Sequence, residues 1–426
     1  MSSVCFYFQV HQPFRLRQDY SFFHIGINHF YEDDAKNKAI AKKIAEKCYL
    51  PTNKLMLDLI KKHGDKFKVC YSLSGMAIEQ FERYTPEVLE SFQALVDTGN
   101  VELLAETYYH SLASQFSVTE FREQVKLHVN KMKTLFGQTP TVFRNTELIY
   151  NNDVAAEVEK MGFTGILAEG ADKVLMWRSP NFVYASKSAA KLKMLLKNYR
   201  LSDDIAFRFS NAAWENYPLT AEKYAGWLAN AAQQGDVINL FMDYETFGEH
   251  QWEQTGIFNF LWHLPDEVLA RGMDFATPSE VIAKYAVRDK LDVPHCVSWA
   301  DTERDLSAWL GNHLQNSSVG FVYSLEKLVH EMNDPDLLQV WRKLQTSDHF
   351  YYMSTKKAGD GDVHNYFNPY NSPYDAFVLY NNVLSDLKLT LESRNVKTDA
   401  VQAAPAVEKP KKRAPRKKAP ESTLPG

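Results

Sequence analysis

Residues 4–13 read VCFYFQVHQP, and residues 236–245 read DVINLFMDYE. Each is a short apolar run, rich in β-branched and aromatic residues, that stops at a cluster of polar side chains. Runs of this length bounded in this way read as strands buried on both faces. Five more lie between them: FKVCYSL at 67–73, VELLAETYY at 101–109, TVFRNTEL at 141–148, TGILAE at 164–169 and KMLLKN at 193–198. Longer segments with helical periodicity separate most of them. Several carry start signals: Ser117 with Glu120 and Thr277 with Glu280 form capping-box patterns, and Thr85 precedes Pro86 at a first helical position. Such alternation implies parallel strands joined by crossover helices. Seven strands predict an incomplete TIM-like (β/α)7 barrel over residues 1–290. An open doubly wound sheet is the alternative. No GxGxxG follows the first strand and no GxxxxGK[ST] occurs, so the usual nucleotide-binding signatures of open sheets are missing.

The rest of the chain is different. Between 291 and 395, Leu306, Trp309, Leu310 and Leu314 recur at helical spacing, and DPDLLQVWRKLQTSDHFYYMS at 334–354 continues in the same style. This predicts a helical domain packed beside the barrel. Residues 396–426 include KPKKRAPRKKAP, have few apolar side chains, and are expected to be a disordered basic tail without a catalytic part. The net charge is −5, so with that basic tail the body is more acidic than the total suggests, which argues against nucleic acid as the main substrate. Cys5, Cys48, Cys70 and Cys296 make no CxxC or Cys/His metal spacing. Reduced thiols, the absence of a signal-peptide pattern at the start and the lack of a membrane-length apolar run together predict a cytoplasmic protein.

The position of the polar residues indicates the chemistry. His11 and Gln12 follow the first run, and Ser74 and Gly75 the second. Glu102, Glu106 and His110 lie in or just after the third. Glu147 ends the fourth, and Asp243 with Glu245 ends the seventh. In a parallel barrel these ends share one rim, where active sites are built. The set is rich in carboxylates and has no nucleophilic serine or cysteine triad. Two carboxylates facing one bond are the equipment for glycoside hydrolysis, one ionised to attack and the other protonated to assist departure. Ion pairing with Arg144 or another base is the competing reading of such strand-end carboxylates. A divalent ion held by His11, His110 and Asp243 is another, as in carbohydrate deacetylases on similar barrels. HExxH spacing is absent, however, and His24 and His29 are five apart.

At these residues the sequence resembles glycoside hydrolase family 57. The carrying motifs are His11-Gln12-Pro13, Gly99-Asn100-Val101-Glu102, Glu147 in FRNTELIY and Asp243 in MDYETFGEH, in that order, and the likeness extends to SWADTERDLSAWLGN and SDHFYYMS. The resemblance implies a seven-stranded β/α barrel, retention of anomeric configuration, α-glucan substrates, no cofactor and no catalytic metal. It assigns Glu147 as nucleophile and Asp243 as general acid/base. His11, Gln12, Glu102, His110, Arg144, Glu245 and His250 become candidate sugar contacts, with Asp305 and Trp309 matched more loosely from the helical region. Arg144 and His250 stand where several transferases of the family carry tryptophans. Both departures favour an α-amylase-like hydrolase over a 4-α-glucanotransferase or branching enzyme. A glucan-binding protein without turnover is the reading from another class, and the intact carboxylate pair argues against it. Oligomeric state has no signature in the sequence.

Overall fold

The computed structural model describes residues 2–356 and 368–402. Its strands are β1 (Ser3–Val10), β2 (Val69–Leu73), β3 (Val101–Leu103), β4 (Val142–Arg144), β5 (Gly165–Glu169), β6 (Tyr184–Ser186), β7 (Lys193–Lys197), β8 (Val237–Asp243), β9 (Asp274–Phe275) and β10 (Lys290–Leu291). They form two sheets, ordered β3-β2-β1-β8 with β9 beside β1, and β10-β6-β7-β5-β4. Two narrow seams join the sheets. At one, Ala105 donates to the Val142 carbonyl at 3.0 Å and Arg144 to that of Ala105 at 2.7 Å. At the other, the Asn198 N–H reaches the Asn239 carbonyl at 2.9 Å. The circuit β1-β2-β3-β4-β5-β7-β8 therefore closes through seven strands, parallel wherever they pair in regular ladders. These are the seven runs expected from the sequence. The thin seams make the barrel an incomplete one.

Period-two alternation then fixes what points inward. Cys5, Tyr7, Cys70, Leu104, Val142, Leu167, Leu195 and Phe241 share one interior apolar cluster. Two residues further along each strand line come Gln9, Ser72, Glu106, Arg144, Glu169, Lys197 and Asp243. The barrel thus has an apolar floor, and over it a polar ring at the C-terminal ends of its strands. The outward side chains of β5, Ile166 and Ala168, pack beneath helices with Val154 and Val158.

The helical region has its own core, built around Trp309, Val322, Trp341, Tyr380 and Leu384. Its limits differ from those expected. β10 pairs with β6, and Val293 and Val297 pack in the cluster that holds Ile166 and Met194, so residues 291–297 belong to the barrel side. The long helix Pro373–Gln402 runs past residue 395. The tail beyond 402 lies outside the described residues. The Thr277–Glu280 capping box forms. Ser117 caps its helix through the Glu120 N–H at 3.1 Å, but the Glu120 side chain turns away to Arg342, at 2.8 and 3.0 Å. An acid expected to close a local cap instead ties the barrel to the helical region. Among the described residues no helix is long and apolar enough to cross a membrane.

Candidate active site

Glu147 sits in a single turn after β4, with φ 57° and ψ 26°, and Leu148 follows at φ 52°. Left-handed backbone at a non-glycine residue costs on the order of 1–3 kcal/mol and persists only where its surroundings enforce it. The clamps are visible. The Asn145 amide donates to the Ile149 carbonyl at 2.9 Å, the hydroxyls of Thr107 and Thr146 meet at 2.7 Å, and the Trp299 N–H reaches the Glu147 carbonyl at 3.2 Å. The turn presents the Glu147 carboxylate to two donors: His110 Nε2 to Oε1 at 3.0 Å and Trp299 Nε1 to Oε2 at 2.7 Å. Burial alone would raise the pKa of this carboxyl. His110, Arg144 and Trp299 outweigh it and hold the group below the usual carboxylate range.

His110 has a carboxylate on each side, because its Nδ1 faces Glu106 Oε2 at 2.9 Å. Glu106 is completed by Gln9 Nε2 at 3.0 Å. Burial opposes charge on the imidazole, but the two carboxylates prevail and keep it protonated up to about 9. Glu106 is correspondingly pushed down to about 2 against the effect of its own burial. The His11 ring stacks on His110 with centroids 3.9 Å apart. Its Nδ1 meets the Ser74 hydroxyl at 2.7 Å and its Nε2 meets Asp348 Oδ2 at 2.9 Å. Burial and the neighbouring His110 charge both lower its pKa. Both ring nitrogens of His110 are thus already engaged by carboxylates.

Asp243 ends β8 in register with Gln9 on β1. Burial and the Glu147 charge raise its pKa to about 6, against the opposing pull of Arg144, Lys197 and His110. One carboxyl pushed down and its neighbour pushed up is the division that acid-assisted nucleophilic displacement needs. The strand stops there, and Tyr244–Thr246 forms a turn, so Glu245 does not continue along the strand. It folds back against the Tyr49 hydroxyl and Gln12 Nε2, the latter at 3.3 Å. Burial and Asp243 together raise it to about 8. Gln12 also accepts from Arg15 at 3.0 Å. Gly248, at φ 112°, packs on the Lys47 carbonyl where a β-carbon would collide. The His250 N–H donates to the Glu245 carbonyl at 2.9 Å, and burial drives its imidazole down to about 4, which leaves it neutral.

Three expected residues are not brought to this centre. Glu102 lies near the start of its strand and accepts from the Ser279 N–H and hydroxyl, both at 2.9 Å. It caps the helix Pro278–Lys284 at the opposite end of the barrel from the rim, where a carboxylate suits the helix dipole. Glu106, four residues on, stands where Glu102 was expected. Asp305 accepts from the Ser307 N–H at 2.8 Å and from its hydroxyl at 2.5 Å, and so starts a short helix. Trp309 is 2% exposed in the helical core, not a platform for sugar. Trp309→Ala should cost about 3–5 kcal/mol of stability, measured by urea unfolding, with glucan affinity of the folded protein unchanged. Weakened glucan binding at full stability would restore its role as a platform.

Trp299 and Asp348 reach the centre without an assignment in the sequence. Arg144 and Lys197 also lie over the Trp299 ring, at 4.8 and 5.2 Å from its centroid. Trp299→Phe keeps the ring and removes the N–H held by Glu147. We expect turnover to fall roughly tenfold, the scale of a hydrogen bond to a charged group. The acid limb of the pH profile should move upward, because this donor helps keep the carboxylate ionised. An unmoved limb would show that Trp299 does not tune Glu147.

The profile of Glycosyl hydrolase family 57 matches residues 5–294. A Methanocaldococcus jannaschii protein named "Putative alpha-amylase" is 44% identical over 408 residues, covering 93% of this chain and 86% of that one. Among solved structures, a family 57 branching enzyme of Thermococcus kodakaraensis superposes with TM-score 0.67 at 12% identity, over 93% of this chain and 91% of that one. A 4-alpha-glucanotransferase of Thermococcus litoralis gives 0.64 at 13% identity over 91% of this chain, which spans only 60% of its length. At such identities these two show a shared fold.

Proposed function

Because the chain belongs to glycosyl hydrolase family 57, we propose that it is a retaining, α-amylase-like hydrolase of α-1,4-glucans such as starch, glycogen or maltodextrin. Glu147 is the nucleophile and Asp243 the general acid/base. The observation that carries this reading is the opposed tuning of the two carboxyls, Glu147 held down and Asp243 pushed up to about 6. Glu147 attacks the anomeric carbon as the glycosidic bond breaks, and Asp243 gives its proton to the departing oxygen. The covalent glycosyl ester on Glu147 is then opened by water, whose proton returns to Asp243. His110 and Trp299, both donors to Glu147, orient the attacking carboxylate and accept it back as leaving group.

Arg144 and His250, in place of the tryptophans of several transferases, favour water over a sugar hydroxyl as the acceptor. Product analysis on maltoheptaose tests the reading. Shorter sugars alone are the expected result. Longer sugars as well would mean transfer, and unchanged maltoheptaose would mean binding without turnover. The buried free thiols of Cys5, Cys48 and Cys70 support a reducing compartment, the cytoplasm.

A further inference from the structure

One arc of the polar ring is unaccounted for by the chemistry above. Gln9, Ser72 and Tyr7 bond to one another, and Glu106 and Glu147 share His110. On the next strands the pattern changes. Arg144 is fully buried, and none of its guanidinium nitrogens has a hydrogen-bond partner among the described residues. Glu169, at the end of β5, is 2% exposed, and neither of its carboxylate oxygens has one. Lys197 Nζ is 3.9 Å from Glu169 and 3.1 Å from Asp203. Strand alternation aims Glu169 at the barrel mouth, since Leu167 two residues earlier faces the interior floor. Unsatisfied buried polar atoms are costly and seldom left so in a folded protein. Here they lie on the rim that holds the catalytic pair.

A groove of about 290 Å³ lies beside these two strand ends, with neither Glu169 nor Lys197 in its lining. It is lined by Gly170 and Asn198, the residues directly after Glu169 and Lys197, and continues past Tyr199 to Met176 and Arg178. Between the last two, Trp177 is 83% exposed. Met176 holds that loop with a left-handed φ of 56°.

We propose that Glu169 and Lys197 form a sugar-binding subsite beside the catalytic carboxyls, gripping adjacent hydroxyls of a glucose unit next to the cleaved bond, and that the groove carries the glucan onward beneath Trp177. The chemistry suits vicinal hydroxyls. The ammonium donates to one oxygen, and the carboxyl accepts from its neighbour. Burial raises Glu169 to about 7, against the opposing pull of Lys197 and Arg304. Trp177, in sequence between the groove-lining Met176 and Arg178, has the Arg178 guanidinium over its ring at 5.1 Å from the centroid, and its exposed indole leaves the other face to a glucose ring.

This inference rests on the α-glucan reading, and the test separates the two. Binding of maltotriose, maltopentaose and maltoheptaose is measured by calorimetry in the Glu147→Gln protein, which does not consume them. Adding Glu169→Gln should weaken maltoheptaose at least tenfold with an unchanged melting temperature. An affinity within twofold would overturn the subsite. Should that variant melt early, Trp177→Ala, a surface change, decides: it should weaken maltoheptaose at least threefold while sparing maltotriose. Equal effects on all lengths, or none, would overturn the groove assignment. If the Glu147→Gln protein itself binds no maltodextrin, the α-glucan reading fails first, and the subsite with it.

Discussion

Glu147→Gln should keep the fold and lose turnover by on the order of 10⁴–10⁶-fold, the scale on which removing a covalent nucleophile acts. The amide preserves shape; its oxygen can accept from Trp299, while its NH2, a donor, suits His110 only once that ring is neutral. It cannot form a glycosyl ester. A second consequence separates this from unfolding. His110 is held protonated to about 9 in part by Glu147. With that charge gone, its pKa should fall, visible in the imidazole carbon shifts by NMR. A 2-fluoro maltosyl fluoride should label the wild-type protein on the peptide containing Glu147. Label found on another carboxylate would sink the assignment.

Asp243 gives the second large effect. A free aspartate has a pKa of about 3.9 and would be almost wholly ionised at neutral pH. Here burial and the Glu147 charge lift it to about 6. The working form has Glu147 ionised and Asp243 protonated. Activity should therefore fall as pH drops through the depressed Glu147 value and fall again as pH rises through about 6, as macroscopic constants of a coupled pair. The optimum of the free enzyme then lies on the acid side of neutrality. Asp243→Asn should slow natural glucans by about 10²–10⁴-fold, the usual worth of a general acid. Glycosylation from an activated aryl maltoside, whose leaving group needs little protonation, should suffer far less. Azide, which needs no base, should partly restore turnover of the aryl substrate and give a glycosyl azide. Equal losses on both substrates with no azide effect would pass the role to Glu245, which burial and Asp243 raise to about 8.

The strands were legible because each barrel strand is a short apolar run, rich in β-branched and aromatic residues, with a polar stop, as in VCFYFQVHQP and DVINLFMDYE. Position along a run was harder to read. VELLAETYY contains two glutamates four apart, and only the strand pairing puts Glu106 at the rim and Glu102 at the far end. Alternation from the floor residues Leu104, Leu167 and Leu195 to Glu106, Glu169 and Lys197 was available in the sequence as a count of two. It needed the strand boundaries to be usable. Trp309 shows the opposite limit, since helical spacing describes a core tryptophan and a sugar platform equally well. Trp299 and Asp348 carried no local signal, because what makes them matter is contact with Glu147 and His11 across a long stretch of chain.

That long-range contact also sets an order of events. The ribosome releases the chain from its N-terminus, so Asp243 completes the barrel strands roughly a hundred residues before Asp348 emerges. At about 5–20 residues per second that is on the order of ten seconds. Through this interval the nascent barrel owns both its carboxyls. It gains the indole that holds Glu147 only about halfway through, and the aspartate that pins His11 only at the end. The set of partners around the two carboxyls is thus complete only once the helical region has emerged.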